Sequence, residues 1–170
     1  MEILSQVAKS MQAILTKSAD IIGGETGFIK RLRKLSGSKF VQILVFGWLN
    51  DPKSTLEELC QSAAALGVEI SPQGLNKRFT SEASDCLQKV LETSVSQVIA
   101  DDPVAIPVLQ RFNGVHIQDG STTTLPDELA AIWLGCGGST TQNTSSSVKM
   151  QIRLDLNTGR LAGPAIRKRA

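Results

Sequence analysis

The hydrophobic period of the chain changes near residue 111, and this change limits the fold more than any other feature of the sequence. Before it, apolar residues recur at helical spacing, as Val7, Met11 and Ile14 do. After it, apolar and polar residues alternate, most clearly in SVKMQIRLDLNTGRL, residues 147–161. The sequence therefore predicts an α+β protein, with an all-α region over residues 1–111 and antiparallel strands over residues 112–170.

The helical region divides at glycine-containing breaks and at capping signals. GGETG, residues 23–27, interrupts the first helical segment. Thr55 with Glu58, or the pair one residue earlier, matches the capping box that starts a helix. The apolar residues of Ser38–Leu49 predict a helix that is buried on most of its faces. The predicted helices cover residues 2–17, Phe28–Leu35, Ser38–Leu49, Leu56–Leu66 and Ser81–Ala100, the last with Ala83, Leu87, Val90, Leu91, Val95 and Val98 on one stripe.

A helix-turn-helix is one of two interpretations of residues 56–80. Ser71 is a good helix cap, and Pro72 is tolerated at the first position of the helix that follows. In a major groove, amide side chains can pair with adenine and arginine with guanine. The other interpretation is a plain helical hairpin with a solvated second face, and the pattern alone leaves both open. The polar residues assigned to the second helix are Gln73, Asn76, Lys77 and Arg78.

Cations are concentrated in one segment, although the formal net charge of the whole chain is only +2. Such a charge neither requires nor excludes nucleic acid as a partner. Residues 28–40 contain no acid, and we expect their cations to contact DNA phosphates. Because Tyr is absent and aromatic residues make up 4%, a stacking platform for single strands is not expected. The cations of this segment are Lys30, Arg31, Arg33, Lys34 and Lys39.

The cysteines and the apolar runs predict a cytoplasmic protein. The three cysteines are widely spaced and form no CxxC motif, so we expect free thiols rather than zinc ligands or disulfides. The most apolar run, Phe40–Leu49, is too short to cross a bilayer, which takes about 20 residues. The start of the chain has no secretion signal.

Asp119 stands out because it follows an apolar stretch directly, in VHIQDGSTTTLP. It alternates with Val115 and Ile117, so the sequence predicts a carboxylate on the core side, at the end of a strand. From the residues alone, it could be a turn residue with Gly120, a phosphoaspartyl nucleophile or a metal ligand. His116, the only histidine, alternates to the opposite face, which argues against a catalytic triad with Asp119.

Three stretches, taken in order, resemble the N-terminal portion of IS4-family DDE transposases: LEELCQSAAALGVEISPQGLNKRF, VHIQDGSTTTLP and SVKMQIRLDLNTGRLAGP. The resemblance implies a helical DNA-binding region, then the first two or three strands of a ribonuclease H-like catalytic domain. Asp119 matches the first acid of the family's Asp-Asp-Glu triad. Those acids hold two divalent ions, usually Mg²⁺, which activate water and then a DNA 3′-hydroxyl for attack on phosphodiesters. The implied partner is the double-stranded DNA of the element ends.

The chain departs from that family pattern after Asp119. Its later acids, Asp127, Glu128 and Asp155, do not match the second Asp or the Glu. We therefore expect a truncated transposase that binds Mg²⁺ weakly or not at all and does not cut DNA by itself. Whether it is an enzyme, and whether it forms a homodimer, stay open at this point. The alternative is a non-catalytic helix-turn-helix fragment that inhibits the intact transposase.

Overall fold

The chain folds into two units, a helical one over Met1–Val98 and a β-rich one over Ile99–Ala170. The computed structural model describes residues 2–31, 34–98, 107–133 and 146–167. The α+β class predicted from the sequence is confirmed. In the described part of the helical unit, the helices are α1 (Glu2–Ala13), α2 (Ala19–Glu25), α3 (Gly37–Asn50), α4 (Leu56–Ala65), α5 (Pro72–Asn76) and α6 (Ser81–Val98).

Helices α1 and α2 are joined by a π-helical turn, Ile14–Ser18, so the first helical segment runs further than predicted. The side-chain hydroxyl of Thr16 donates to the Gln12 carbonyl at 2.6 Å. The Leu15 carbonyl accepts a hydrogen bond from the Gln42 side chain of α3 at 2.8 Å. These two side-chain bonds give partners to carbonyl groups in and just before the π-helical turn, in which Ile14 and Leu15 are both buried.

The helix predicted over Phe28–Leu35 is wrong. Gly27 has a φ of 72°, in the left-handed region that glycine enters at no steric cost, and it ends the helical path after α2. The Ile29 amide then donates back to the Gly23 carbonyl at 2.8 Å. The described residues that follow, up to Leu35, form bends or irregular backbone, and Leu32 and Arg33 lie outside the described part of the chain.

Helix α3 forms the middle of the core mainly in its first two turns. Phe40, Val41, Ile43 and Leu44 are at most 1% exposed. The burial predicted for most faces of this helix is wrong at its C-terminal end, since Gly47 packs on α4 while its large apolar neighbours face outward. The exposed residues of this end are Val45, Phe46, Trp48 and Leu49.

The caps of α4 and α5 are those predicted. Thr55 and Glu58 form a reciprocal capping box, with the Thr55 amide donating to the Glu58 carboxylate at 2.7 Å. Ser71 accepts from the Gly74 amide at 3.1 Å, and Pro72 is the first residue of α5. However, α5 has five residues, so Lys77 is only its C-cap and Arg78 lies beyond it.

Helix α6 buries one stripe, as predicted, but Leu91 is not on it. Ala83, Cys86 and Val90 are at most 5% exposed, whereas Leu91 is 45% exposed. Leu91 follows Val90 directly and therefore points about 100° away from it around the helix. Among the cysteines, Cys60 and Cys86 are free thiols, as predicted, and Cys136 lies outside the described residues.

The β-rich unit contains an antiparallel sheet in the order β1-β2-β3, formed by β1 (His116–Thr124), β2 (Ser147–Asp155) and β3 (Arg160–Arg167). The predicted NTG turn joins β2 to β3, with Gly159 at a φ of 64°. At its start, the Asn157 amide donates to the Asp155 carboxylate at 2.9 Å. Between Gln151 and Arg153 the register of β2 with β3 shifts, opposite Gly163.

The prediction that a strand ends at Asp119 is wrong, and the turn with Gly120, one of the alternatives left open for this acid, is not found. Asp119 pairs with Ile152 and Gly120 with Gln151 in the middle of the β1–β2 ladder. The threonines that follow favour extended backbone, which carries the strand on to Thr124. Asp119 shares its face with Ile117, as predicted, but Ile117 is 56% exposed and the whole of β1 is exposed.

In the described residues no helix is both long and apolar enough to cross a membrane.

The contact between α2 and α3 predicts unequal effects for two glycine substitutions. A Cβ on Gly37 would run into the carbonyl oxygen of Ala19, a backbone atom that cannot move alone, so Gly37→Ala should lower the free energy of unfolding by about 1–3 kcal/mol. Gly24 lies in α2 with no atom within 4 Å of such a Cβ, so Gly24→Ala should raise it by about 0.5–1 kcal/mol. Urea unfolding of both variants measures the difference. Equal midpoints would refute the close approach of the two helices.

Candidate nucleic-acid interface

Three of the cations predicted to bind DNA come together at one cavity of the helical unit. Lys30 and Arg31 line it from the bend after α2, and Arg78 lines it from the segment after α5. The cavity has a volume of about 340 Å³, and Thr80 and Glu82 at the start of α6 complete its polar rim. Segments that are almost 50 residues apart in the sequence thus form one basic surface.

Aromatic packing explains why these segments meet. Phe28 is buried, and its ring centroid lies 4.6 Å from that of Phe40. The Phe79 ring contacts the same Phe40 ring edge-on, with centroids 5.9 Å apart. Lys30 and Arg31 follow Phe28 closely, and Arg78 precedes Phe79 directly. The packing of Phe28 and Phe79 on the Phe40 ring therefore holds the three cations around the cavity.

Glu82 moderates the charge of this surface. The pKa of its carboxyl lies below the usual range, chiefly because its own backbone N–H and the hydroxyls of Thr80 and Ser81 hydrogen-bond to it. The positive charge of Lys30 lowers this pKa further. Glu82 is therefore ionised at neutral pH, and the cavity presents three cations and one carboxylate.

The rim suits a phosphate group of a polyanion. A guanidinium can donate two parallel hydrogen bonds to phosphate oxygens, and a lysine adds a mobile charge. The Thr80 hydroxyl already accepts the Ala83 amide at 3.3 Å and so caps α6. Sequence reasoning missed Thr80 and Glu82, although a threonine just before a helical stretch is itself a capping signal.

The remaining predicted contacts do not line this cavity. Lys34 is exposed in the bend, and Lys39 is half-buried in the first turn of α3. Gln73, Asn76 and Lys77 are exposed at α5. Arg33 lies outside the described residues. Their roles as DNA contacts stay predictions.

Asp119 lies in the other unit, exposed in the middle of β1. One of its carboxylate oxygens accepts the Gly120 amide at 2.8 Å. Across the ranges that the structure describes, no three His, Cys, Asp or Glu side chains are grouped so that they could hold a metal ion. The pKa of Asp155 is lowered mainly by the Asn157 amide, then by the Thr158 hydroxyl, so this acid serves the turn after β2.

These features define an α+β protein with a cation-lined cavity suited to a polyanion. Over 135 residues the chain is 33% identical to the transposase for insertion sequence element IS231B of Bacillus thuringiensis subsp. berliner, a match that covers 78% of this chain and 28% of that protein. It is 31% identical over 137 residues to the IS231C transposase of the same subspecies, covering 79% of this chain and 28% of the relative. It is 29% identical over 161 residues to the IS231F transposase of subsp. israelensis, a match that covers 93% of this chain and 33% of that protein.

The chain thus spans about a third or less of the length of these curated relatives. No family model and no solved structure matches it. What the comparisons establish is similarity to IS231 transposases over most of this chain.

The position of Glu82 predicts that it weakens the binding of polyanions. Glu82→Gln keeps a side chain that can accept hydrogen bonds at the start of α6 but removes the negative charge beside Lys30. We expect the Kd for a 30-base-pair DNA duplex, measured by fluorescence anisotropy, to fall about three- to tenfold. Glu92→Gln, on the same helix but away from the cavity, is the matched control. If both variants bind DNA equally well, the cavity is not where DNA binds.

Proposed function

We propose that this chain acts as part of an insertion-sequence transposase, in which the helical unit binds the double-stranded ends of the element. The observation that carries the proposal is the meeting of Lys30, Arg31 and Arg78 at one cavity, in a chain similar to IS231 transposases over most of its length. Contacts to phosphates supply most of the affinity of such a surface and make it dependent on salt.

The segment from α4 to α5 is the proposed helix-turn-helix. Five residues of helix are about 7.5 Å long, so only Gln73 and Asn76 on α5 would reach base edges. Lys77 and Arg78 follow the helix and would contact the backbone. In this arrangement, base recognition and phosphate binding come from adjacent positions of the chain. Lys34 and Lys39, which follow Lys30 and Arg31 in the sequence, would add positive charge.

The β-rich unit is the proposed beginning of a ribonuclease H-like catalytic domain of the IS4-family DDE type. The antiparallel order β1-β2-β3 supports this proposal, and Asp119 would be the first of three metal-binding carboxylates. A divalent ion there would activate the attacking hydroxyl and stabilise the leaving group. Asp119 is the one acid of this chain that matches the triad, and the described residues contain no group of three potential metal ligands. We therefore propose weak or absent Mg²⁺ binding and no DNA cleavage by this polypeptide alone.

A second proposed function is a non-catalytic DNA-binding fragment that occupies element ends and inhibits the intact transposase. It is favoured by the fact that the converging cations all belong to the helical unit, whereas Asp119 lies in the other one. The two functions share the DNA interface and differ in whether the polypeptide contributes to metal-dependent chemistry.

DNA binding should depend on the three cations at the cavity. For the triple variant Lys30→Gln/Arg31→Gln/Arg78→Gln, we expect the slope of log Kobs against log salt concentration to become less steep by about 0.9 for each lost contact, about 2.7 in all. Fluorescence anisotropy with duplex DNA between 50 and 200 mM NaCl, roughly the range in which the effect is large, measures the slope.

The matched control for this test is Lys17→Gln/Lys53→Gln/Lys89→Gln, which removes the same charge from exposed lysines outside the cavity. It should leave the slope nearly unchanged. If the control and the cavity variant lower the slope equally, DNA binding reflects general charge and the proposed interface is wrong.

Metal-dependent cleavage separates the two functions. We expect the 170-residue polypeptide, with Mg²⁺ or Mn²⁺, to leave supercoiled DNA intact in a nicking assay, because one carboxylate does not hold the ions that the reaction needs. Asp119→Asn, which keeps the size of the side chain, should behave identically. Nicking that requires metal and is lost in Asp119→Asn would contradict the proposed inactivity and establish Asp119 as a metal ligand.

A further inference from the structure

The sheet of the β-rich unit has one polar face on which cations outnumber acids. We propose that this face is a second binding surface for the backbone of double-stranded DNA, separate from the cavity of the helical unit. The inference rests on the proposed function for the identity of the ligand. It adds a site that neither the resemblance nor the similarity to known transposases assigns.

The register of the sheet determines which residues share this face. Lys149 is paired with Thr122 and Arg153 with Gln118, and all four side chains are exposed. Arg160 stands on the same face, because it pairs with Asp155. Four residues along a strand correspond to about 14 Å, so Lys149 and Arg153 would contact different phosphates.

Asp155 is the only acid on this face within the described strands, and its carboxylate is already occupied. It accepts the Asn157 amide at 2.9 Å and belongs to the turn between β2 and β3. Among the described residues, Lys149 and Arg153 form no ion pair. An ordinary solvated sheet face mixes charges of both signs, whereas this one offers unpaired cations to a ligand.

The polar face of the sheet has a depression in its middle, next to Gly163. Gly163 has a φ of 110°, and a Cβ there would lie 2.6 Å from the Gln151 carbonyl oxygen. Glycine therefore allows the register shift that opens a cavity of about 210 Å³ on the sheet. The cavity is lined by Gln118, Gln151, Ile152 and Arg153, and by the small residues Ala162, Gly163 and Ala165 of β3.

The chemistry of this lining fits a sugar–phosphate backbone. The small side chains of β3 leave room, while two amides and one guanidinium supply donors at the rim. Glutamine and arginine side chains are common donors to phosphate oxygens. Gly120 makes room for the Lys149 side chain on this face. A Cβ on Gly120 would lie 3.0 Å from Lys149 Cε, so the glycine allows the lysine to lie across β1.

The first test measures DNA binding by the full chain carrying Lys149→Gln/Arg153→Gln. The slope of log Kobs against log salt concentration should become less steep by about 1.8, the share of two phosphate contacts. The control, Lys53→Gln/Lys89→Gln, removes the same charge from the helical unit outside the cavity and should change neither slope nor affinity. Circular dichroism and urea unfolding confirm that each variant is folded.

The second test uses the depression itself. Ala165→Glu places a negative charge in it, and Ala165→Gln places a neutral side chain of the same size at the same exposed position. We expect Ala165→Glu to raise the Kd for duplex DNA at least about fivefold over Ala165→Gln, because charge rather than bulk opposes a phosphate. Equal Kd values for the two variants would overturn the role of the depression.

The outcomes separate this inference from the function it rests on. If the sheet variants bind DNA like the unmodified chain while the variant of Lys30, Arg31 and Arg78 is weakened, the sheet face is not a DNA surface and the proposed function stands. If neither set changes binding, both fail. Lysine- and arginine-dependent binding of the sheet to phosphatidylserine vesicles, with DNA binding unchanged, would overturn the inference in favour of a lipid surface.

Discussion

The packing of Phe28 and Phe79 on the single buried ring of Phe40 is the interaction on which the basic cavity depends. Phe40 is fully buried in α3, so its position is set by the helical core rather than by the loops around it. The two loop phenylalanines then bring Lys30 and Arg78 to one place without requiring them to contact each other. Cations repel, and such a group persists only when apolar burial supplies the stability that the charges oppose. The same packing makes the site sensitive to changes in α3 that touch no charge.

In the β-rich unit the corresponding constraint is the two-residue period of the strands. It puts Asp119 on one face with Ile117 and Ile152, and Lys149 with Arg153 on the other. A shift of one residue in the β1–β2 register would exchange these faces, so the carboxylate and the cations stay apart as long as the ladder holds. Gly163 disturbs the ladder between β2 and β3 only, which leaves the β1–β2 pairing around Asp119 regular. The candidate metal ligand and the candidate DNA surface can therefore be altered independently.

Sequence reasoning succeeded where the cause of the structure is local. The capping box at Thr55, the Ser71 cap and the turn at Gly159 depend on neighbouring residues, and each is found as predicted. It failed where distant contacts decide. The segment after Gly27 has a helical pattern of apolar positions, but its described residues form no helix, because Phe28 is drawn into the core by Phe40. The strand through Asp119 continues because β2 supplies partners for every residue up to Thr124.

At the candidate site, too, the sequence predicts what depends on residue type but not what depends on distant contacts. The sequence identified Lys30, Arg31 and Arg78 by type, but it could not bring two separate segments to one cavity, since that follows from tertiary aromatic packing. The net charge of +2 also gives no sign of this cluster, because it is a sum over the whole chain, in which cations are concentrated in some segments and acids in others. At about 0.1 M salt, charges interact over roughly 10 Å, so a DNA strand responds to the local cluster and not to the total.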